Sequence, residues 1–294
     1  MKTSLLDKFF IVLFLVILSA FALACLYPFY YIFIGSLSSP GAISRGVFLW
    51  PEGFNLRTYE SIMTGPGMAQ SVLISVARTV LGAALVVICS VFVGYIFSYR
   101  DIPIRSALYR YFIITMYVNA GFVPWYMLIT NMGLRNTFWV YIVPGAFSAF
   151  FVILAKTYIE SIPESLREAA EIDGAGILRI FFTIIVPLAM PIIACLVVFS
   201  AVGQWNAWAD TLYFVTDSKL YPMQYRLYNM LQRNMAGAMS QTAGAGAGMS
   251  IAEQITPAAL RLTMTFVTTM PILAVYPFMQ RYFVKGIMIG AVKG

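Results

Sequence analysis

The chain contains no histidine. That removes Ser-His-Asp and Cys-His nucleophilic sites and every imidazole metal site. Cysteine is scarce: Cys25, Cys89 and Cys195 lie singly in apolar stretches, none at metal-ligand spacing, and the sequence leaves open whether any two pair. Charged residues are only 11% of the 294, well below the share of a soluble domain. A phosphate-cradling loop is also missing. Such a loop needs Gly, four residues, then Gly-Lys-Ser/Thr, and the glycine-rich run 243–248 has no lysine. No catalytic constellation, metal site or cofactor site is expected in this chain.

What is present is apolar. Hydrophobic residues make up 61% of the chain. Six stretches, about 9–34, 71–99, 107–130, 138–155, 180–204 and 262–280, approach or exceed the roughly 20 residues that cross a hydrocarbon core. Only Arg78 and Arg110 fall inside them. The expected fold class is all-α, a polytopic membrane protein with six transmembrane helices forming one domain over residues 1–294. The first apolar run continues past Ala22-Leu23-Ala24-Cys25 to Ile34. A signal peptide's apolar region is only about 7–15 residues, so this run is read as a retained span.

The formal net charge of +7 follows topology. With the N-terminus cytoplasmic, eleven lysines and arginines fall inside and seven outside, most of the latter in two long loops that orient weakly. This bias accounts for the basic balance without a nucleic-acid partner; membrane lipid is the surrounding medium. Both termini and the loop at about 156–179 are then cytoplasmic, and about 205–261 forms a long outer loop. The second half of that loop is small-residue and flexible in composition. Pro124, Pro144, Pro187, Pro191, Pro271 and Pro277 interrupt the spans. Each removes a backbone donor and tends to kink its helix. Kinks of this kind suit a water-lined path, and they also suit the ordinary proline enrichment of membrane helices.

The inner loop gathers five acids, Glu160, Glu164, Glu168, Glu171 and Asp173. Ser161-Ile162-Pro163-Glu164 reads as a capping box with proline in the first turn. Gly174 reads as a left-handed helix end. Leu166, Ala169 and Ala170 then share one slim apolar face. Such a helix either docks into a partner's groove or lies solvated between two spans.

Glu168-Ala169-Ala170, three residues, Gly174, nine residues, Ile184, one residue, Val186-Pro187 resembles the Glu-Ala-Ala loop of bacterial ABC importer permeases, with Val186 where leucine is usual. The wider chain is similar to the carbohydrate branch, in particular the maltose-type second permease. Gly203-Gln204-Trp205-Asn206 and the ending Gly290-Ala291-Val292-Lys293-Gly294 carry that likeness.

The resemblance implies a Type I ABC importer permease fold in a bacterial inner membrane. It implies a homologous permease subunit, an ATPase subunit dimer that binds ATP and Mg, and an extracytoplasmic substrate-binding protein. It assigns ATPase coupling to Glu168, Ala169, Ala170, Asp173 and Gly174, and an ATPase contact to Val292, Lys293 and Gly294. The substrate it implies is a sugar or oligosaccharide.

Candidates along the path are Tyr117, Asn119, Trp125, Trp205 and Asn206, which equally suit interfacial anchoring or helix packing. Arg78 is either a functional intramembrane charge, drawing an acidic oligosaccharide such as alginate, or a side chain snorkelling to the outer surface. A permease for peptides, amino acids or polyamines shares the loop. A secondary transporter would call for inverted repeats and midplane charges, which the sequence does not display.

Overall fold

Side chains that are apolar on every face specify helices, because only a helix pairs its own backbone groups inside lipid. The computed structural model describes residues 5–99, 102–118, 120–240 and 256–291, with side chains between 6 and 232 and between 256 and 275. Within these, Leu6–Ser36, Met68–Ser98 and Pro257–Val275 are long and apolar enough to cross a membrane. Two bent pairs, Arg105–Tyr117 with Phe122–Asn131 and Ile177–Leu188 with Met190–Asn206, bring the number of candidate spans to at most five. The expected count of six is therefore not reached by length and apolarity.

The shortfall lies at 138–155, where one span was expected. It is a short 3-10 turn, Phe138–Tyr141, then irregular backbone, then the eleven-residue helix Ala149–Ile159. Pro144 supplies no amide for a continuing helix. A new helix starts where Ser148 Oγ accepts from Phe151 N at 3.4 Å. The 79° bend at Ala189 has a similar origin. Pro187 and Pro191 flank it, and a π-turn over Phe181–Ile185 precedes it.

Contacts divide the chain into two compact units, Met1–Met68 with Asn229–Met270, and Ala69–Tyr228 with Pro271–Gly294. In the first, Gly35 lies so close to Leu262 that a Cβ there would stand 2.8 Å from its Cδ1. Phe33 and Phe266 rings meet at 5.2 Å, and the Ser36 and Tyr59 hydroxyls lie 2.6 Å apart. Burial pushes the Tyr59 pKa up, with the Ser36 bond partly offsetting it. The outer surface of Leu6–Ser36 is almost wholly exposed apolar side chains.

In the second unit, Met68–Ser98 is the central element. Its Gly94 lets Ala149–Ile159 approach backbone to backbone: a Cβ would lie 2.9 Å from Lys156 N and 3.1 Å from Val152 O. Small residues at such crossings are how membrane helices gain contact. Gly94→Ala is expected to force these helices apart at a cost of about 1–3 kcal/mol, read as a lower midpoint of thermal aggregation in detergent.

The stretch 205–261, expected as a long outer loop, is not a simple loop. Its first half folds into Ala209–Phe214 and the start of Met223–Ser240, while the small-residue run 241–248 falls outside the described residues. Asn136 ties this half down, its Oδ1 accepting from Thr216 N at 3.0 Å and Asp217 N at 2.8 Å.

Candidate functional site

The acid-rich loop forms the helix Glu164–Ile172. Its closure is as the sequence predicts. Gly174 has φ of +77°, Gly174 N donates to Glu171 O at 3.0 Å, and Ala175 N donates to Ala170 O at 2.9 Å. These are the paired bonds of a Schellman ending, which satisfy carbonyls the helix leaves free.

Its opening is not as predicted. Pro163 occupies the cap position, Ser161 Oγ donates to Tyr158 O at 2.6 Å, and Glu164 pairs with Arg167 at 2.8 Å. Ser161 lies too far before the helix to cap it, and its hydroxyl closes the preceding helix instead.

The apolar face is also divided. Ala170 packs inward with Ala175 and Ile162 on the core of Tyr95, Tyr99, Ile159 and Phe181. Ala169 faces solvent with Glu168, Ile172 and Asp173, and Leu166 is half exposed. The face left for a partner is thus Glu168, Ala169, Ile172 and Asp173. Ile172 was not among the expected contacts, yet it is 86% exposed.

Arg167 fastens this helix. Its side chain is largely buried, its Nε lies 3.5 Å from Glu171 Oε1, and its guanidinium covers the Tyr99 ring at 4.4 Å. Tyr99 OH lies 3.4 Å from Glu171 Oε1, and Tyr95 OH donates to Ile177 O at 3.1 Å. The loop helix and the Ser98 end of Met68–Ser98 are thereby joined through charge, ring and hydroxyl. The spacing of Glu164, Arg167 and Glu171, three then four residues, carried that signal in the sequence. Glu160 is similarly held, by Lys156 and Arg105, each at 2.7 Å. Three of the five loop acids are therefore neutralised within the chain.

Near the other end of Met68–Ser98, Arg78 does not snorkel. It is 1% exposed and gripped by Asp210, its Nη2 2.5 Å from Oδ2 and its Nη1 3.3 Å from Oδ1. Nη1 also donates to Ala207 O at 3.1 Å and Nη2 to Gln204 Oε1 at 3.3 Å. The Tyr141 ring lies 4.4 Å beneath the guanidinium. The guanidinium and the carboxylate are thus paired within the chain.

Beside the pair lies a cavity of about 400 Å³, lined among others by Trp125, Tyr141, Phe151, Ser148, Gln204 and Gly203. The irregular backbone at 142–148 forms part of its wall, in keeping with the rule that non-helical backbone at membrane depth lines a cavity or is buried.

Of the expected path residues, Arg78 and Trp125 meet here. Trp205 instead lines a separate apolar crevice with Val76, Val80 and Pro271. Asn206 Oδ1 accepts from Gln224 at 2.9 Å, and Tyr117 is 80% exposed. Asn119 and the tail Val292, Lys293 and Gly294 lie outside the described residues. At this cavity, Asp210, Gln204 and Tyr141 are residues that sequence reasoning missed.

The class these features define is a helical membrane protein with a fastened loop helix and a polar-aromatic cavity. Residues 86–289 match the family of binding-protein-dependent transport system inner membrane components, and the chain belongs to that family. It is 35% identical over 93% of its length to the polygalacturonan/rhamnogalacturonan transport system permease protein YtcP of Bacillus subtilis (strain 168), covering 94% of that protein. It is 34% identical over 91% of its length to Protein LplC of the same strain, covering 89% of it. Among solved structures it resembles a chain of a bacterial ABC transporter involved in the import of the acidic polysaccharide alginate. The TM-score there is 0.84 at 29% identity, covering 96% of this chain and 99% of that one.

Proposed function

We propose that this chain is the permease subunit of a carbohydrate ABC importer, forming an oligosaccharide path with a homologous permease. The fastened loop helix, closed at Gly174 and offering Glu168, Ala169, Ile172 and Asp173 outward, is the observation that carries the reading. It suits docking on an ATPase dimer that binds ATP and Mg, with an extracytoplasmic binding protein delivering the sugar. The names of YtcP and of the alginate transporter support an oligosaccharide substrate. Closure of the ATPase dimer would move the loop helix, and Arg167 and Tyr99 pass that motion to the Met68–Ser98 helix. The path then alternates between inward-open and outward-open states biased by nucleotide.

The test is purification of the tagged full-length chain from its native membrane. A P-loop ATPase and a second permease should accompany it, and the assembly in vesicles should accumulate labelled oligogalacturonate with ATP. The chain stripped of partners should hydrolyse none. Hydrolysis by the stripped chain, or its purification without an ATPase, would overturn the reading.

A further inference from the structure

We propose that the cavity beside the Arg78–Asp210 pair is a sugar-ring subsite belonging to this chain itself, one that reads ring faces and hydroxyls and not carboxylates. The proposal rests on the carbohydrate reading above. The volume of about 400 Å³ falls within the range of small-molecule sites. Its wall combines flat aromatic rings with few polar groups, and the Trp125 side chain is 42% exposed.

One donor there is unspent and within reach. Arg78 Nε also lacks a hydrogen-bond partner among the described residues, but it has almost no accessible surface and is closed to a molecule in the cavity. A guanidinium only donates, so Gln204 must turn its oxygen to Arg78. Its amide nitrogen is then left over, and no described residue accepts from it. Gly82 and Gly145 make room for that nitrogen: a Cβ on them would lie 2.7 Å and 3.7 Å from it. A donor beside an aromatic face suits the oxygens of a stacked sugar ring. A second carboxylate is disfavoured, because Arg78 is already neutralised and Asp210 would repel it. Charge on an acidic oligosaccharide is therefore read elsewhere than in this cavity.

Gly203 provides the probe. It lines the cavity, and a Cβ there meets nothing within 4 Å. Gly203→Cys is built in the assembled transporter with Cys25, Cys89 and Cys195 replaced by serine, and its labelling by a small thiol reagent is timed. Galactobiose and digalacturonate should both slow labelling several-fold, and to a similar extent. Trp125→Leu should abolish this protection and Trp125→Phe should keep it. If Trp125→Leu is lost from the membrane, Gln204→Leu serves in its place with the same expected loss.

No protection by either sugar, protection by digalacturonate alone, or protection unchanged in the leucine variants would each overturn the subsite. Uptake measured in the same vesicles separates the two failures. Oligosaccharide uptake without protection removes the subsite only, whereas absence of any sugar uptake removes the carbohydrate reading with it.

Discussion

Gly174→Val is expected to leave the protein in the membrane at near-normal level while lowering uptake about tenfold or more, the factor that about 1.4 kcal/mol carries. A Cβ on Gly174 would meet nothing within 4 Å, so the substitution adds no clash inside the chain. What it adds is backbone strain. At φ of +77° a β-branched residue is disfavoured by roughly 1–2 kcal/mol. Relief of that strain turns the chain out of the left-handed region. The bonds from Gly174 N to Glu171 O and Ala175 N to Ala170 O are then lost. Ala170 would leave the Tyr95–Tyr99 core, and the outward face would no longer be held in place.

Two neighbouring substitutions isolate the cause. Gly176→Val should be nearly silent, because Gly176 is extended at φ −73° and also open to solvent. Gly174→Asn should retain most uptake, since asparagine tolerates the left-handed region. Equal damage from Gly176→Val would show that bulk near the docking face, not turn geometry, is what matters. Normal uptake in Gly174→Val would remove the turn from coupling altogether.

The second large effect concerns the Arg78–Asp210 pair, and it is asymmetric. Asp210→Leu strands a guanidinium that is 1% exposed, with only Gln204 and Ala207 left to accept from it. Breaking a buried pair in this way costs about 3–5 kcal/mol. Arg78→Leu strands a carboxylate whose side chain is 26% exposed and accepts from Thr211 N at 2.8 Å, so it can recruit water. Its cost is expected to be the smaller. Thermal aggregation midpoints should therefore fall furthest for Asp210→Leu, less for Arg78→Leu, and partly recover in the double variant, where no charge is left unpaired. A double variant worse than both singles would mean that the guanidinium's contacts with Tyr141 and Gln204, not charge balance, hold this end together.

These two sites were legible in the sequence to different degrees. The loop helix and its glycine end were readable because each signal is local: a proline, a glycine and i,i+4 charges within about a dozen residues. The capping box misled because Ser161 has a nearer acceptor, Tyr158 O, at the end of the preceding helix. The face of the helix misled for a different reason. Spacing places Ala169 and Ala170 side by side, but only packing on Tyr95 and Tyr99 determines which turns inward.

Arg78 was conspicuous as an intramembrane charge, whereas its partner was not, being 132 residues away. Hydropathy also read 138–155 as one span without showing that its helix is interrupted. A window average cannot register that Pro144 breaks the helix, and the broken stretch is what lines the cavity with Gln204 and Trp125.

That same separation of 132 residues bears on how the protein is made. Met68–Ser98 leaves the ribosome carrying Arg78 long before Asp210 exists. At about 5–20 residues per second the interval is on the order of ten seconds. Throughout it, the helix holds an uncompensated guanidinium about three turns from its Met68 end, at a cost below the roughly 2.5–3.5 kcal/mol of an arginine at the centre of a span. A cysteine placed beside Arg78 should therefore label with a thiol reagent in a nascent chain arrested before Asp210, and be protected in one arrested beyond it. The last contact to form around this helix is then expected to await an acid on the far side of the sequence.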